Sequence, residues 1–251
     1  MATPQQARFL FIQCRPDGAI ARDERNSVAS LAGLEERELD AIMLLDDPHL
    51  DPVLDVDVSA YTGVIISGSP FSARAEREAT QPERACLHER VTRLASFLLD
   101  GDVPTLGLCY GLQMLACAAG ASLTDTQAED LQAVTIERTQ AAVTDPVAYA
   151  LPERMTAFVG HTDSLADLPE GAVLLGRGET CERQLVRFNT NLYGCQFHPE
   201  ITTPGMRLRI DAYAGHYYGP DETAAVEERC LSQDVTSGHA LIPAFVNHYR
   251  R

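Results

Sequence analysis

Apolar residues along the chain fall into two textures that change near residue 131. Before it, short continuous apolar runs alternate with longer amphipathic stretches. Arg8 to Cys14 (RFLFIQC), Tyr61 to Ser67 (YTGVIIS) and Pro104 to Leu108 (PTLGL) are too short for helices and lack polar alternation, so they read as buried strands. Leu39 to Leu45 holds a further apolar run, and prolines and aspartates make the stretch after it a surface loop. Turn residues follow the strands, as in Arg15-Pro16-Asp17-Gly18 and Gly68-Ser69-Pro70. Helical patterns lie between: Asn26 to Leu34, Pro82 to Leu99 with proline in the first turn and Gly101 as a stop, and Gly111 to Ala119. Ala19 to Asn26 and Phe71 to Gln81 read as insertions. The alternation predicts a mainly parallel sheet covered on both faces, a three-layer α/β/α fold.

From Leu131 the runs are strand-like and close together: Leu131 to Ile136, Ala157 to Val159, Val173 to Leu175, Gln184 to Phe188 and Leu192 to Phe197. Turns such as Leu168-Pro169-Glu170-Gly171 and Asn189-Thr190-Asn191 separate them, which predicts a small antiparallel addition to the sheet. Pro204 to Tyr218 and Ala240 to Tyr249 read as helices with an acidic patch between. Neither repeat nor linker interrupts the chain. The expected organisation is one domain over residues 1–251, with a core at about 8–201 and a helical extension at 202–251.

Composition narrows the chemistry. The formal net charge of −16 predicts no nucleic-acid partner and no anionic membrane surface, since polyanions are repelled. All the cations are arginine, so no lysine is available for a phosphate loop or a Schiff base. The seven cysteines lack Cys-x-x-Cys spacing, which predicts neither a disulfide framework nor a zinc site. Met1 to Gln6 carries no basic stretch ahead of a signal core, and no apolar run is long enough to span a bilayer. The expected location is the cytoplasm.

Two distant segments carry reactive groups. In Gly107-Leu108-Cys109-Tyr110-Gly111-Leu112-Gln113, a strand ending at Leu108 and a helix starting at Gly111 place Cys109 on a sharp turn. Free backbone N–H groups at the helix start favour a thiolate there, and the Tyr110 N–H can donate to an oxyanion. In Gly194-Cys195-Gln196-Phe197-His198-Pro199-Glu200, His198 emerges from a buried run and Glu200 can accept its ring N–H. Cysteine, histidine and carboxylate are the parts of an activated nucleophile.

These blocks resemble the two signatures of the class I glutamine amidotransferases, and within them the glutaminase part of GMP synthase and its free-standing relatives. The resemblance covers roughly Arg8 to Ile201. It implies a flavodoxin-like α/β/α fold, with Cys109 as nucleophile, His198 as base and then acid, and Glu200 orienting His198. Gln113 matches a position that helps hold the substrate. Ile65-Ile66-Ser67-Gly68-Ser69-Pro70 matches the loop whose backbone supplies the second oxyanion donor, so Ser69 joins Tyr110 there and Gly68 is a substrate-binding position. Ser69 stands where a glycine is common.

Gly160-His161-Thr162-Asp163 resembles the Ser-His-x-Asp block over the α-amino and α-carboxylate groups of glutamine. Asp163 is the candidate for the ammonium, and His161 either contacts substrate or organises the loop. The other histidines, His49, His88, His216, His239 and His248, have no partner pattern and are expected to be structural or solvated.

The resemblance implies hydrolysis of the glutamine side-chain amide with no metal or organic cofactor. Two enzymatic readings stay open: a glutaminase subunit delivering ammonia to a separate synthase, or a stand-alone γ-glutamyl hydrolase or peptidase. A non-catalytic scaffold retaining the fold ranks below both.

Overall fold

In the computed structural model, which describes residues 7–215 and 218–250, the buried runs assemble side by side. The first six residues, His216, Tyr217 and Arg251 lie outside that range, and with them the expectations placed on the N-terminus and on His216. The first four strands are β1 (Phe9–Gln13), β2 (Leu39–Met43), β3 (Gly63–Ile66) and β4 (Thr105–Leu108). They are followed by β5 (Leu123–Thr124), β6 (Glu129–Arg138), β7 (Arg154–His161), β8 (Ser164–Leu165), β9 (Val173–Arg177), β10 (Leu185–Phe188) and β11 (Leu192–Cys195). Nine of them form one sheet in the order β2-β1-β3-β4-β11-β10-β9-β6-β7, and β5 pairs with β8 apart from it. Pairing is parallel from β2 through β11 and antiparallel from β11 to β7. The expected antiparallel addition is therefore a continuation of the same sheet, except that β11, expected within it, turns back to lie parallel to β4.

Helices cover both faces. On one side Val28 and Ala32 of α1 (Ala19–Ala32), with Leu241, Ile242, Phe245 and Val246, pack on Phe9, Phe11, Ile65, Leu106 and Tyr193. On the other, Leu87, Val91, Leu94 and Leu98, together with Leu112 and Leu115, pack on Leu10, Ile12, Val64 and Ile66. The alternate residues of β1 thus enter opposite cores, which is why its run has no polar position to show. The remaining helices are α2 (Ala75–Glu78), α3 (Pro82–Asp100), α4 (Tyr110–Ala118), α5 (Thr203–Tyr213), α6 (Thr223–Leu231) and α7 (Leu241–Tyr249). Met206 and Ile210 of α5 and Val226 and Cys230 of α6 close a third cluster over Ala133 and Phe158 of the antiparallel strands. No helix among the described residues is long and apolar enough to cross a membrane.

Three expectations change. Ala19 to Asn26 is the first half of α1, not an insertion. Its polar sequence hides a helical stripe, since Ala21, Glu24, Val28 and Ala32 are buried positions and one of them is a glutamate. Gly33 ends it at φ 60°, with Gly33 N–H on Ser30 O and Leu34 N–H on Ala29 O, a left-handed C-terminal cap that glycine adopts without strain. The segment Phe71 to Gln81 contains the single helical turn α2, and the acidic patch before residue 240 contains α6.

The α4 helix lies close enough to the sheet to exclude side chains. A Cβ on Gly111 would sit 2.6 Å from Ile66 O, and one on Gly107 2.5 Å from the Gly111 carbonyl carbon. Gly111→Ala therefore forces backbone apart, and the expected cost is about 1–3 kcal/mol. Urea unfolding should show a lower midpoint with unchanged slope; an unchanged midpoint would contradict this packing.

Candidate active site

Cys109 occupies the step between β4 and α4 with φ 48° and ψ −96°, a conformation that costs a non-glycine residue energy. Its N–H donates to Cys195 O at 2.7 Å, and its C=O accepts the Gln113 N–H at 3.1 Å, so the turn is held from both sides. Tyr110 is the first helical residue, whose N–H has no acceptor within the helix.

The partner of that Cys109 N–H bond begins the second segment. Because β11 lies parallel to β4 with Cys195 opposite Leu108, the chain leaving Cys195 runs past the Cys109 turn. His198 N–H bonds to Phe158 O at 2.8 Å, which fixes where the ring projects. His198 Nδ1 meets Glu200 Oε1 at 2.6 Å, and the ring also hydrogen-bonds Cys109. Burial disfavours charge on this imidazole, but Glu200 and the Cys109 sulfur outweigh it and raise its pKa from 6.5 to about 10. Glu200 is fully buried; burial works against its charge too, yet His198 and Arg209 hold its carboxyl below the usual range. With Nδ1–H directed at a carboxylate, Nε2 is the nitrogen left for the cysteine.

The sequence-predicted residues meet at one cavity of about 570 Å³, lined by Ser69, Cys109, Tyr110, Gln113, His161, Asp163 and His198 among others. Gly68 lies against the histidine, where a Cβ would come within 2.9 Å of His198 Cε1. The Ser67 hydroxyl donates to Gly68 O at 2.7 Å. In a planar trans peptide this turns the Ser69 N–H away from the Ser67 hydroxyl. Ser69 in place of glycine leaves that N–H intact; its hydroxyl accepts from Phe71 N–H at 3.1 Å.

The remaining residues are more committed than the sequence suggests. Gln113 Nε2 donates to Asp163 O at 2.6 Å and to Gln196 Oε1 at 3.2 Å, so its amide nitrogen is committed within the protein. His161 is turned to Glu129, Nε2 to Oε2 at 2.9 Å, with its side chain 2% exposed, so it organises the β6–β7 edge. Asp163 accepts from Ser72 Oγ at 2.6 Å and lies 3.0 and 3.3 Å from Arg74 and Arg77. Of the other described histidines, His239 Nδ1 contacts Pro199 O at 2.7 Å and so braces the turn after His198.

Sequence reasoning assigned no role to Gln196, to the Arg15–Glu24 pair, or to the Glu129 and Cys181 that surround His161. Gln196 is fully buried and donates from Nε2 to Cys109 Sγ at 3.3 Å; its place two residues before His198, with Glu200 two after, was the signal that could have found it. Arg15 and Glu24 form a buried forked pair at 3.2 and 3.1 Å behind the triad. Burial raises the Glu24 pKa, with Arg15 opposing and the Glu200 charge adding to the rise. Among the described residues, Glu129, His161 and Cys181 place ligand-type atoms within 4.8 Å of one another. Glu129 Oε2 is already shared by His161 and Gln184 Nε2, at 2.9 and 2.7 Å, while His161 Nδ1 and Gln184 Oε1 are buried without a hydrogen-bond partner.

Cysteines near Cys109 are held as thiols. Burial, reinforced by Glu24, pushes Cys14 up to about 12, and burial with Glu200 lifts Cys195 well above its ordinary value.

Because the folded-state pKa of His198 lies above its unfolded value, its contribution to stability is complete below about pH 6.5 and fades as pH rises through about 10. The stability difference between the wild type and His198→Gln should shrink across that window in urea titrations. In Cys109→Ala, which lacks the sulfur contact that raises the His198 pKa, the ring titration followed by NMR should move to lower pH. An unmoved titration would contradict the Cys109 contact.

The family model described as "Glutamine amidotransferase class-I" matches residues 31–210. A glutamine-hydrolyzing GMP synthase subunit of Methanosarcina acetivorans is 30% identical over 156 residues, 62% of this chain and 72% of that protein. The glutamine-hydrolyzing GMP synthase of Thermosipho melanesiensis is 31% identical over 142 residues, 56% of this chain, and the match spans only 24% of that longer protein. Among solved structures, a glutamine amidotransferase from Thermotoga maritima superposes with a TM-score of 0.72 at 20% identity, covering 97% of this chain and 98% of that one. One from Methylobacillus flagellatus gives 0.70 at 18% identity, with 98% and 93% covered. At such identities the structural likeness speaks to the fold.

Proposed function

Since the chain belongs to the class-I glutamine amidotransferase family, we propose that it hydrolyses the side-chain amide of glutamine through a Cys109 γ-glutamyl thioester and delivers the ammonia to a separate synthase. The observation that carries this reading is the strained Cys109 turn beside His198, both lining one cavity, with Glu200 buried behind the histidine at 2.6 Å. The Cys109 thiolate attacks the amide carbon, and the Tyr110 and Ser69 N–H groups receive the oxyanion. The imidazolium of His198 donates its Nε2 proton to the departing nitrogen as the C–N bond breaks, releasing ammonia and leaving the thioester. His198 then takes a proton from water, whose oxygen attacks the thioester and expels the thiolate, giving glutamate. Gln196, donating to Sγ, steadies the sulfur when it carries charge. Gly68, Gln113, His161 and Asp163 frame the glutamyl chain, His161 through its hold on the β6–β7 edge.

The separate synthase draws its support from the Methanosarcina relatives, which bear the names of enzyme subunits and not of whole synthases. The second reading has its own observation. Tyr213, Tyr218, Glu222 and Arg229 of the C-terminal extension also line the cavity, and they lie beyond the family-matched residues 31–210. A wall there suits a stand-alone γ-glutamyl hydrolase whose leaving group is larger than ammonia.

Cys109→Ala should keep its fold and lose more than about 10⁴-fold in turnover, while Glu200→Gln should lose about 10²–10⁴-fold. A diazo-ketone analogue of glutamine should label Cys109 alone. Residual glutamine hydrolysis in Cys109→Ala would sink the assignment. Ammonia release from glutamine, measured beside turnover of several γ-glutamyl peptides, separates the two readings; strong peptide turnover with negligible glutaminase activity selects the second.

A further inference from the structure

The carboxylate that meets His198 is carried on a tight turn. His198 O accepts the Ile201 N–H at 3.4 Å, so Pro199 and Glu200 are the corner residues of a β-turn. The peptide between these corners takes no part in the turn's own hydrogen bond, yet its orientation sets the direction in which Glu200 leaves the backbone. Turned over, it would call for positive φ at Glu200, which is not among the described residues with that conformation. His239 reaches this peptide from the C-terminal extension, its Nδ1–H donating to Pro199 O at 2.7 Å.

The segment that brings His239 is itself docked. It is a short 3₁₀ turn, Thr236–Ala240, flanked by Val235 in the cluster over Phe158 and by Leu241 in the core around Phe9. Ser237 Oγ accepts the Thr156 N–H of β7 at 2.8 Å, and a Cβ on Gly238 would come within 2.6 Å of Ala157 Cβ. The next residue of β7 is Phe158, whose carbonyl holds the His198 N–H at 2.8 Å. One turn of chain therefore grips both the strand that fixes His198 and the peptide that precedes Glu200. Residues 236–240 lie beyond the family-matched residues 31–210, so this support comes from outside both reactive segments.

We propose that His239 is a positioning residue, holding the Pro199–Glu200 peptide so that Glu200 stays directed at His198 Nδ1. On this assignment the C-terminal extension is a working part of the site and not only a cover on the sheet. Its effect on turnover rests on the glutamine-hydrolysing reading above, while its effect on the His198–Glu200 pair stands apart from any substrate.

Two readouts test it: glutamine kinetics, and the NMR titration of the His198 ring, which needs no substrate. His239→Ala should lower kcat about tenfold or more with KM little changed, since Glu200 acts on the histidine and not on the bound amide. Burial lowers the His198 pKa and the Glu200 contact opposes it, so a loosened contact should move the ring titration to lower pH by about half a unit or more. Asparagine places an N–H donor near the Nδ1 position, whereas glutamine places it one bond farther out. His239→Asn should therefore recover most of both readouts and His239→Gln should not. Urea midpoints measured alongside identify any variant that is simply unfolded, and if His239→Ala does not fold, the Asn and Gln variants carry the comparison. An unmoved titration or an unchanged kcat in His239→Ala would overturn the proposal, as would a His239→Asn variant no better than His239→Gln. A wild type inert toward glutamine, with Cys109 unlabelled by the diazo-ketone, would instead overturn the reading beneath it; the titration would still decide whether His239 holds the pair.

Discussion

The parallel pairing of β4 with β11 is the constraint on which the site depends. Its register sets Cys195 opposite Leu108, and the ladder runs one bond further, from the Cys109 N–H to Cys195 O. That last bond lies outside the strands and inside the site, tying the nucleophile turn to the start of the segment that carries Gln196, His198 and Glu200. A slip of one residue would send these side chains to the opposite face and take the base away from the sulfur. The glycines keep the register tight: a Cβ on Gly194 would come within 2.5 Å of Leu112 Cδ1, so α4 presses directly on β11 behind the turn.

Buried charge is the second constraint. Glu200, Glu24, Arg15 and Arg209 all lie nearly out of solvent beside a histidine that is itself drawn towards its charged form. Arg15 forks onto Glu24, and Arg209 bonds Asp23 Oδ2 at 2.9 Å and Gly205 O at 3.0 Å. Removing one member of such a pair strands the other, at a cost of about 3–5 kcal/mol. These residues come from the β1 turn, α1 and α5, so the ionic layer fastens the first helix and the C-terminal extension to the back of the triad. Its benefit to the chemistry is electrostatic. Arg209 sustains the Glu200 carboxylate, and Glu200 in turn favours positive charge on His198.

The sequence was readable where physical chemistry acts locally. Continuous apolar runs located the parallel strands, because burial on both faces leaves no polar gaps, and Pro82 and Gly101 bounded α3. Both reactive segments were legible for the same reason: a tight turn needs glycine on each side of Cys109, and the His-Pro-Glu spacing is short. What escaped was decided by distant partners. Glu24 made the start of α1 look like a loop, since its burial depends on Arg15 nine residues earlier. The parallel placement of β11 depends on β4, far upstream, and a strand's own residues do not say which neighbour it will take. Gln113 and Asp163 were found as residues, but not their ties to Gln196, Arg74 and Arg77.

Chemistry and selectivity consequently sit on different kinds of structure. Cys109, His198, Tyr110 and Ser69, to which the proposed chemistry is assigned, belong to strand ends, a helix start and the turns beside them, where backbone bonds leave little freedom. The cavity's outer walls come from α2 and its flanks on one side and from the α5–α6 region on the other. These are short elements on the rim, held by ion pairs such as Arg74–Asp163 and by a small apolar cluster, and their side chains can change without disturbing the β4–β11 register. Gln113 joins the two levels. It stands one turn past Cys109 on the rigid helix, yet its amide holds the backbone of Asp163, so the rim is positioned from the catalytic side and not by the surface. A sequence can therefore retain the reactive segments and still alter what the site accepts, and the residues that decide this lie outside both segments.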